Sequence, residues 1–294
     1  MADTLKGIYP PLTTPFIDDE VSFDKFLENL IKYEMKILSG YVLFGSNGES
    51  VFLTREEKLQ LITTIRKHTN RKIIVGTGLD SIKETISLTN DAAEAGADYA
   101  LIITPSFFKS EMKHRTFLNY FTKVADSVMI PVILYNVPKF TGVNIEVETI
   151  VELSSHPNII ALKDSTEISS RISELAANVH PDFKLIVGTA SVLFSGLSSG
   201  AVGGILALAN IAPDECIQIY NLMREKNFER ALEIQNRMIP VNKAVTEKFG
   251  VAGLKAAMDM MGYFGGHPRL PLEPLNEAQL IELKMILKKA SLID

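Results

Sequence analysis

Lys163 is the residue whose placement in this sequence is hardest to explain without chemistry. It ends the apolar run Ile159-Ile160-Ala161-Leu162. Side chains alternate along a strand, which sets Lys163 on one face with Ala161 and Ile159. If that face points into a closed core, an ammonium group is being placed in a confined, largely apolar space, where burial favours the neutral amine. A neutral amine can attack a carbonyl and form a Schiff base. The competing reading is a strand-edge lysine with a packed stem and its charge in water. Tyr135 ends the preceding apolar run and shares a face with Ile133. Adjacent parallel strands lie about 4.8 Å apart, so inward side chains at the ends of two neighbouring strands can meet. A phenol beside an amine can pass protons during carbinolamine formation and dehydration. Alternatively, the tyrosine caps the core and keeps its hydroxyl wet.

A third feature is the turn Gly45-Ser46-Asn47-Gly48-Glu49. Two glycines let the backbone fold tightly, and exposed N–H groups in such a turn form a nest suited to a carboxylate. Ser46 adds a hydroxyl and Asn47 an amide. An ordinary glycine turn with Asx-type bonding accounts for the same residues. No pair among the five histidines (His68, His114, His156, His180, His267) shows metal-ligand spacing on a helix or strand. Surface roles are expected for them, and a metal-dependent aldolase or hydrolase is not. Phe107-Phe108 reads as hydrophobic packing or as a subunit contact.

These residues need a scaffold. A short β-rich apolar run followed by a polar turn and a helix-period segment recurs along the chain. The runs are Gly7–Pro11, Tyr41–Gly45, Lys72–Thr77, Tyr99–Thr104, Val132–Asn136, Ile159–Lys163, Lys184–Gly188 and Ala201–Leu206. Thr54 precedes Glu57, and Ser81 precedes Glu84, at capping-box spacing. Gly40 and Gly96 stand where helices would end. Eight strands alternating with helices predict a parallel sheet, and that number closes a (β/α)₈ TIM barrel. A doubly wound sheet is the alternative, but its glycine-rich phosphate fingerprint is missing. After Pro213 the strand signals stop; Asp214–Glu225, Phe228–Phe249, Gly253–Met261 and Asn276–Lys289 read as helices. The expected organisation is a barrel over residues 1–212 and a helical C-terminal extension over 213–294, packed on the barrel. Barrel active sites lie at the C-terminal strand ends. That places Thr13–Thr14, the Gly45–Glu49 turn, Thr104–Pro105, Tyr135–Asn136, Lys163–Asp164 and Gly188 on one face.

Composition narrows the classes. The chain has 294 residues, 46% hydrophobic and 22% charged, which are globular proportions. A net charge of −5 gives no reason to expect nucleic acid as a partner. A single cysteine, Cys216, excludes an internal disulfide framework and suits a reducing, cytoplasmic compartment. Met1–Lys6 has no apolar segment of the secretory kind. Leu185–Pro213 carries no charge, but its five glycines and four serines point to buried strands and a small-residue helix instead of a membrane span.

Three motifs in register then become recognisable: Gly45-Ser46-Asn47-Gly48-Glu49-Ser50, Tyr135-Asn136-Val137-Pro138 with Thr141-Gly142, and Ile160-Ala161-Leu162-Lys163-Asp164. From about Gly7 to Leu292 the chain resembles the pyruvate-dependent Schiff-base lyases that include dihydrodipicolinate synthase and N-acetylneuraminate lyase. The resemblance implies a barrel that commonly assembles as a homotetramer, a dimer of dimers. It implies Lys163 as the Schiff-base lysine, Tyr135 as the proton-transferring phenol, and Ser46 and Asn47 as the holders of the pyruvate carboxylate. Gly188 and Ile205 match pocket positions that act through their backbone. No cofactor and no metal are implied, because the imine is the electron sink. Two positions depart from the synthase pattern. Phe140 stands where the synthases carry the arginine that holds aspartate semialdehyde, and a phenyl ring cannot replace it. Phe107 and Phe108 occupy the region where the family tends to place a relay tyrosine. The Ser46-Asn47 form of the turn, Lys163-Asp164-Ser165, the opening Ile8–Phe16 segment and Arg269-Leu270-Pro271-Leu272 resemble the 4-hydroxy-2-oxoglutarate aldolases. Asn47 and Ser165 are expected at a distal carboxylate or hydroxyl of the substrate. The expected activity is therefore a class I aldolase cleaving a 4-hydroxy-2-oxo acid, such as 4-hydroxy-2-oxoglutarate or a 2-keto-3-deoxy sugar acid, to pyruvate and an aldehyde. Dihydrodipicolinate synthase, dehydration of a 3-deoxy acid and a silent oxo-acid-binding barrel are the alternatives.

Overall fold

The computed structural model describes residues 5–294, so most of the Met1–Lys6 segment lies outside the described residues. Strand β1 (Gly7–Tyr9) is followed by a small antiparallel hairpin, β2 (Phe16–Ile17) and β3 (Glu20–Val21). Seven more strands run parallel to β1: β4 (Gly40–Leu43), β5 (Lys72–Gly76), β6 (Tyr99–Ile103), β7 (Val132–Asn136), β8 (Ile159–Asp164), β9 (Lys184–Val187) and β10 (Gly203–Ile205). The sheet order is β1-β10-β9-β8-β7-β6-β5-β4. The last seam is closed where Pro11 bridges Val42, with Leu12 N donating to Val42 O at 2.8 Å and Val42 N to Pro10 O at 3.0 Å. The result is a (β/α)₈ barrel.

Alternation along the strands sorts the apolar residues into two layers. One fills the barrel and includes Tyr9, Val42, Ile74, Leu101, Ile133 and Ile186. The other, with Leu43, Val75, Ile102, Leu134 and Leu162, packs outward against the helices. Those helices include α1 (Phe23–Glu34), α2 (Arg55–Arg66), α3 (Ile82–Glu94) and α4 (His114–Ala125); after β7 comes the single turn α5 (Pro138–Thr141), which is not part of that layer, and then α6 (Val147–Leu153), α7 (Ser169–Asn178) and α8 (Leu193–Ser198), which are. Thr54 and Glu57 form both halves of a capping box on α2; Ser81 accepts from Glu84 N on α3 without the reciprocal bond. Gly96 has φ +111° at the end of α3, as a helix-ending glycine should. Gly40 does not end a helix. It opens β4, where a Cβ would lie 2.3 Å from the Lys72 carbonyl oxygen, so close strand approach is its role.

Past β10 come α9 (Pro213–Arg224), α10 (Phe228–Lys243), α11 (Gly250–Met260) and α12 (Glu277–Lys289). A π-helical turn, Ala244–Lys248, separates α10 from α11, so the single helix expected over Phe228–Phe249 is interrupted. The uncharged Leu185–Pro213 stretch is divided among β9, α8, β10 and short 3₁₀ turns. Among the described residues no helix is long and apolar enough to cross a membrane.

Candidate active site

Strands β7 and β8 set the central pair. Tyr135 and Lys163 are direct register partners. Both are buried, at 5% and 4% exposure, and Tyr135 belongs to the barrel-filling layer with Ala161, Ile186 and Ile205. The Lys163 Nζ lies 4.0 Å from the centroid of the Tyr135 ring, so the amine sits against the phenol inside the barrel and not at a wet strand edge. The face they share is reached by a detour. The β7–β8 register jumps from Val132↔Ile159 to Ile133↔Ala161, leaving Ile160 as an extra residue. A bulge of this kind breaks the two-residue period. Ile159 therefore packs in the outer layer while Ile160 packs against the inner one. The expectation that Ile159, Ala161 and Lys163 share a face holds only for the last two.

The Gly45–Glu49 turn supplies the second wall. Ser46–Gly48 is one turn of 3₁₀ helix after Gly45. Ser46 Oγ stands 3.4 Å from Tyr135 Oη. Asn47, its neighbour, is half-buried. The tightness of this turn does not come from glycine φ angles. Phe44 (φ +58°) and Glu49 (φ +54°) adopt the left-handed conformation on either side of it. For residues with a Cβ that costs of order 1–3 kcal/mol and persists only where the surroundings impose it. Gly48 is needed for space, since a Cβ there would sit 3.0 Å from Leu12 O. Thr14 Oγ1 donates to Gly48 O at 2.8 Å.

Gly188 and Ser165 meet at the next strand ends. A Cβ on Gly188 would come within 1.9 Å of Ser165 Oγ, so the glycine makes room for that hydroxyl. Gly188 N donates to Asp164 O at 2.7 Å and Ser165 N to Asn136 O at 2.9 Å, which carries the strand pairing into the loops. Ile205 is fully buried at the end of β10. Phe140 is placed differently. Its segment is the helical turn α5, not an extended strand, and its ring is 61% exposed. Lys139 Nζ donates to Thr246 O at 2.9 Å and lies 5.8 Å from the Phe140 ring centroid. The Phe107 and Phe108 rings pack edge to face with centroids 5.0 Å apart, and both are exposed, so they do not fill the core of this chain.

Two buried polar assemblies behind the site were not assigned roles from the sequence. Asn136 and Asp164, which follow Tyr135 and Lys163, point to the opposite side of the barrel wall. Asp164 accepts from Asn136 Nδ2 at 3.1 Å, from Arg171 Nε at 3.0 Å and from Thr166 N at 2.9 Å. Asn136 Oδ1 accepts from Ile145 N at 3.1 Å, and Arg171 also donates to Ile145 O. The signal was present, as two polar residues at outward positions of otherwise apolar strands. The second assembly joins Glu49 to Lys255 of α11, with 2.6 Å between Oε1 and Nζ. The signal for Lys255 was a lone basic residue inside the apolar run Val251–Met258.

A sequence model of the Dihydrodipicolinate synthetase family matches residues 4–290. The chain is 34% identical over 291 residues to a 4-hydroxy-tetrahydrodipicolinate synthase of Methanothrix thermoacetophila, covering 97% of both chains. It is also 34% identical to a probable mitochondrial 4-hydroxy-2-oxoglutarate aldolase of Emericella nidulans, covering 95% of this chain and 92% of that one. The crystal structure of dihydrodipicolinate synthase from Aquifex aeolicus superposes with a TM-score of 0.92 at 31% identity, over 98% of this chain and 99% of that one. The chain therefore belongs to the dihydrodipicolinate synthetase family and is a carbon–carbon lyase of the pyruvate-dependent class I aldolase type.

Proposed function

We propose that this protein cleaves a 4-hydroxy-2-oxo acid to pyruvate and an aldehyde through an imine on Lys163. The buried Lys163–Tyr135 contact is the observation that carries the imine. The Lys163 Nζ adds to the 2-oxo carbon. Tyr135 delivers a proton to the oxygen, water departs, and a protonated imine remains. Removal of the 4-hydroxyl proton sends the electrons of the C3–C4 bond into that imine, so the aldehyde leaves and an enamine of pyruvate is left. Protonation at C3 and hydrolysis release pyruvate and the free amine. Ser46, within reach of the phenol, belongs to the same proton path, with Tyr135 working as general acid and base. Asn47, Ser165 and Gly188 line the far side of the substrate, with Ile205 beneath it. Phe140 supports the choice of substrate, because α5 offers no guanidinium to a semialdehyde carboxylate.

The second reading is 4-hydroxy-tetrahydrodipicolinate synthase, condensing pyruvate with aspartate semialdehyde. Most of the relatives compared carry that name, which favours it over the aldolase on ancestry. One pair of assays separates the readings: cleavage of 4-hydroxy-2-oxoglutarate and 2-keto-3-deoxy acids against condensation with the semialdehyde. Faster turnover of the semialdehyde overturns the first. Borohydride reduction with pyruvate should fix label at Lys163 under both. For assembly we infer a homotetramer in which the exposed Phe107–Phe108 pair meets a second copy.

A further inference from the structure

Among the described residues Lys255 is the most deeply buried lysine, and the reaction does not use it. The side chains of Lys255 and Glu49 are 0% and 1% exposed. Burial lowers the Lys255 amine, with the Glu49 charge opposing. Removing two ions from water is costly, and a well-packed apolar pair is often as stable, so stability alone does not account for this pair.

Its location does. Glu49 ends the 3₁₀ turn, and its N–H donates to Ser46 O at 3.2 Å. Its left-handed backbone must be imposed from outside. The carboxylate is gripped twice, by Lys255 Nζ and by Arg269 N at 2.8 Å. Lys255 in turn donates to His267 O at 2.9 Å and lies 4.5 Å above the Phe16 ring. The C-terminal extension thus holds the turn that carries Ser46. The Ser46–Tyr135 separation of 3.4 Å is already longer than an ordinary O–H···O bond. For a proton to pass between the two hydroxyls, the turn must bring Ser46 within hydrogen-bond reach of the phenol.

Building on the Lys163–Tyr135 reading of the reaction, we propose that Glu49 and Lys255 are positioning residues that hold Ser46 against Tyr135. Lys255→Met strands the Glu49 carboxylate and is expected to unfold, so the test uses the pair Glu49→Gln with Lys255→Met, which removes both charges. Activity is read at a temperature where circular dichroism shows every variant folded. The double variant should still trap pyruvate on Lys163 under borohydride, with kcat lowered about 10- to 100-fold, in line with the cost of misplacing a reacting group. Ser46→Ala should lower kcat in the wild-type background but cost less than about twofold more in the double variant, because coupled sites are not additive. Wild-type kcat in the folded double variant, or an equal Ser46→Ala loss in both backgrounds, overturns the proposal. Failure of the wild-type chain to trap pyruvate overturns the reading of the reaction instead.

Discussion

Contact between the Lys163 amine and the Tyr135 ring gives each residue a distinct expected phenotype. Lys163→Ala removes the nucleophile, so neither turnover nor a borohydride-fixed adduct is expected; substantial residual turnover would contradict the role. Tyr135→Phe keeps the ring and deletes the hydroxyl, and should slow the reaction by about 10²- to 10⁴-fold, the range of general acid–base groups. An unchanged rate removes the phenol from the mechanism. At Gly188 the expectation is steric. Gly188→Ala sets a methyl 1.9 Å from Ser165 Oγ and should raise KM by displacing that hydroxyl. Adding Ser165→Ala should relieve only part of the loss, since Ser165 Cβ is itself 2.9 Å from the new methyl. Equal KM for Gly188→Ala and wild type would show that Ser165 does not touch substrate.

Between elements, buried polar pairs fix how strand ends and helices meet. The Asp164–Arg171 pair links β8 to α7 with side chains 3% and 9% exposed. Arg171→Met leaves the carboxylate buried without its cation, which typically costs about 3–5 kcal/mol. Urea denaturation should show that loss, and a change below about 1 kcal/mol would mean that Asn136 and Thr166 suffice for Asp164. The Arg269–Glu57 pair ties the C-terminal segment to α2. Hydrogen bonding from Arg269 holds the Glu57 carboxyl below its ordinary value of 4.5, against the opposing effect of burial. A carboxyl lowered in the folded state adds stability above its unfolded value and loses it as pH falls through the folded one. The stability difference between wild type and Glu57→Gln should therefore be present near pH 7 and shrink on acidification below about pH 4.5. A difference that stays constant down to about pH 3 would contradict this.

At the scale of the molecule, the barrel gathers loops from the whole chain at one end, and the edge-to-face Phe107–Phe108 pair is an apolar feature left exposed there. If those rings join two copies, Phe107→Glu with Phe108→Glu should reduce the sedimenting mass. An unchanged mass assigns the interface elsewhere.

Sequence by itself determined the eight barrel strands and the helical tail, and it singled out Lys163 and Tyr135 as neighbours, but it did not show the β2–β3 hairpin. Period-two runs, turn residues and caps are local signals, and a basic residue closing an apolar run is visible without neighbours. Tertiary structure decided the rest. The extra residue Ile160 is defined only against β7, so alternation read along one strand put Ile159 on the wrong face. Glu49 combines a left-handed backbone with a carboxylate held by Lys255 and Arg269, both distant in the chain. Phe140, read from the resemblance as a substrate-binding position, lies in the helical turn α5 with its side chain exposed. Each outcome is set by contacts between segments far apart in sequence, and such contacts leave no periodic trace in either segment alone.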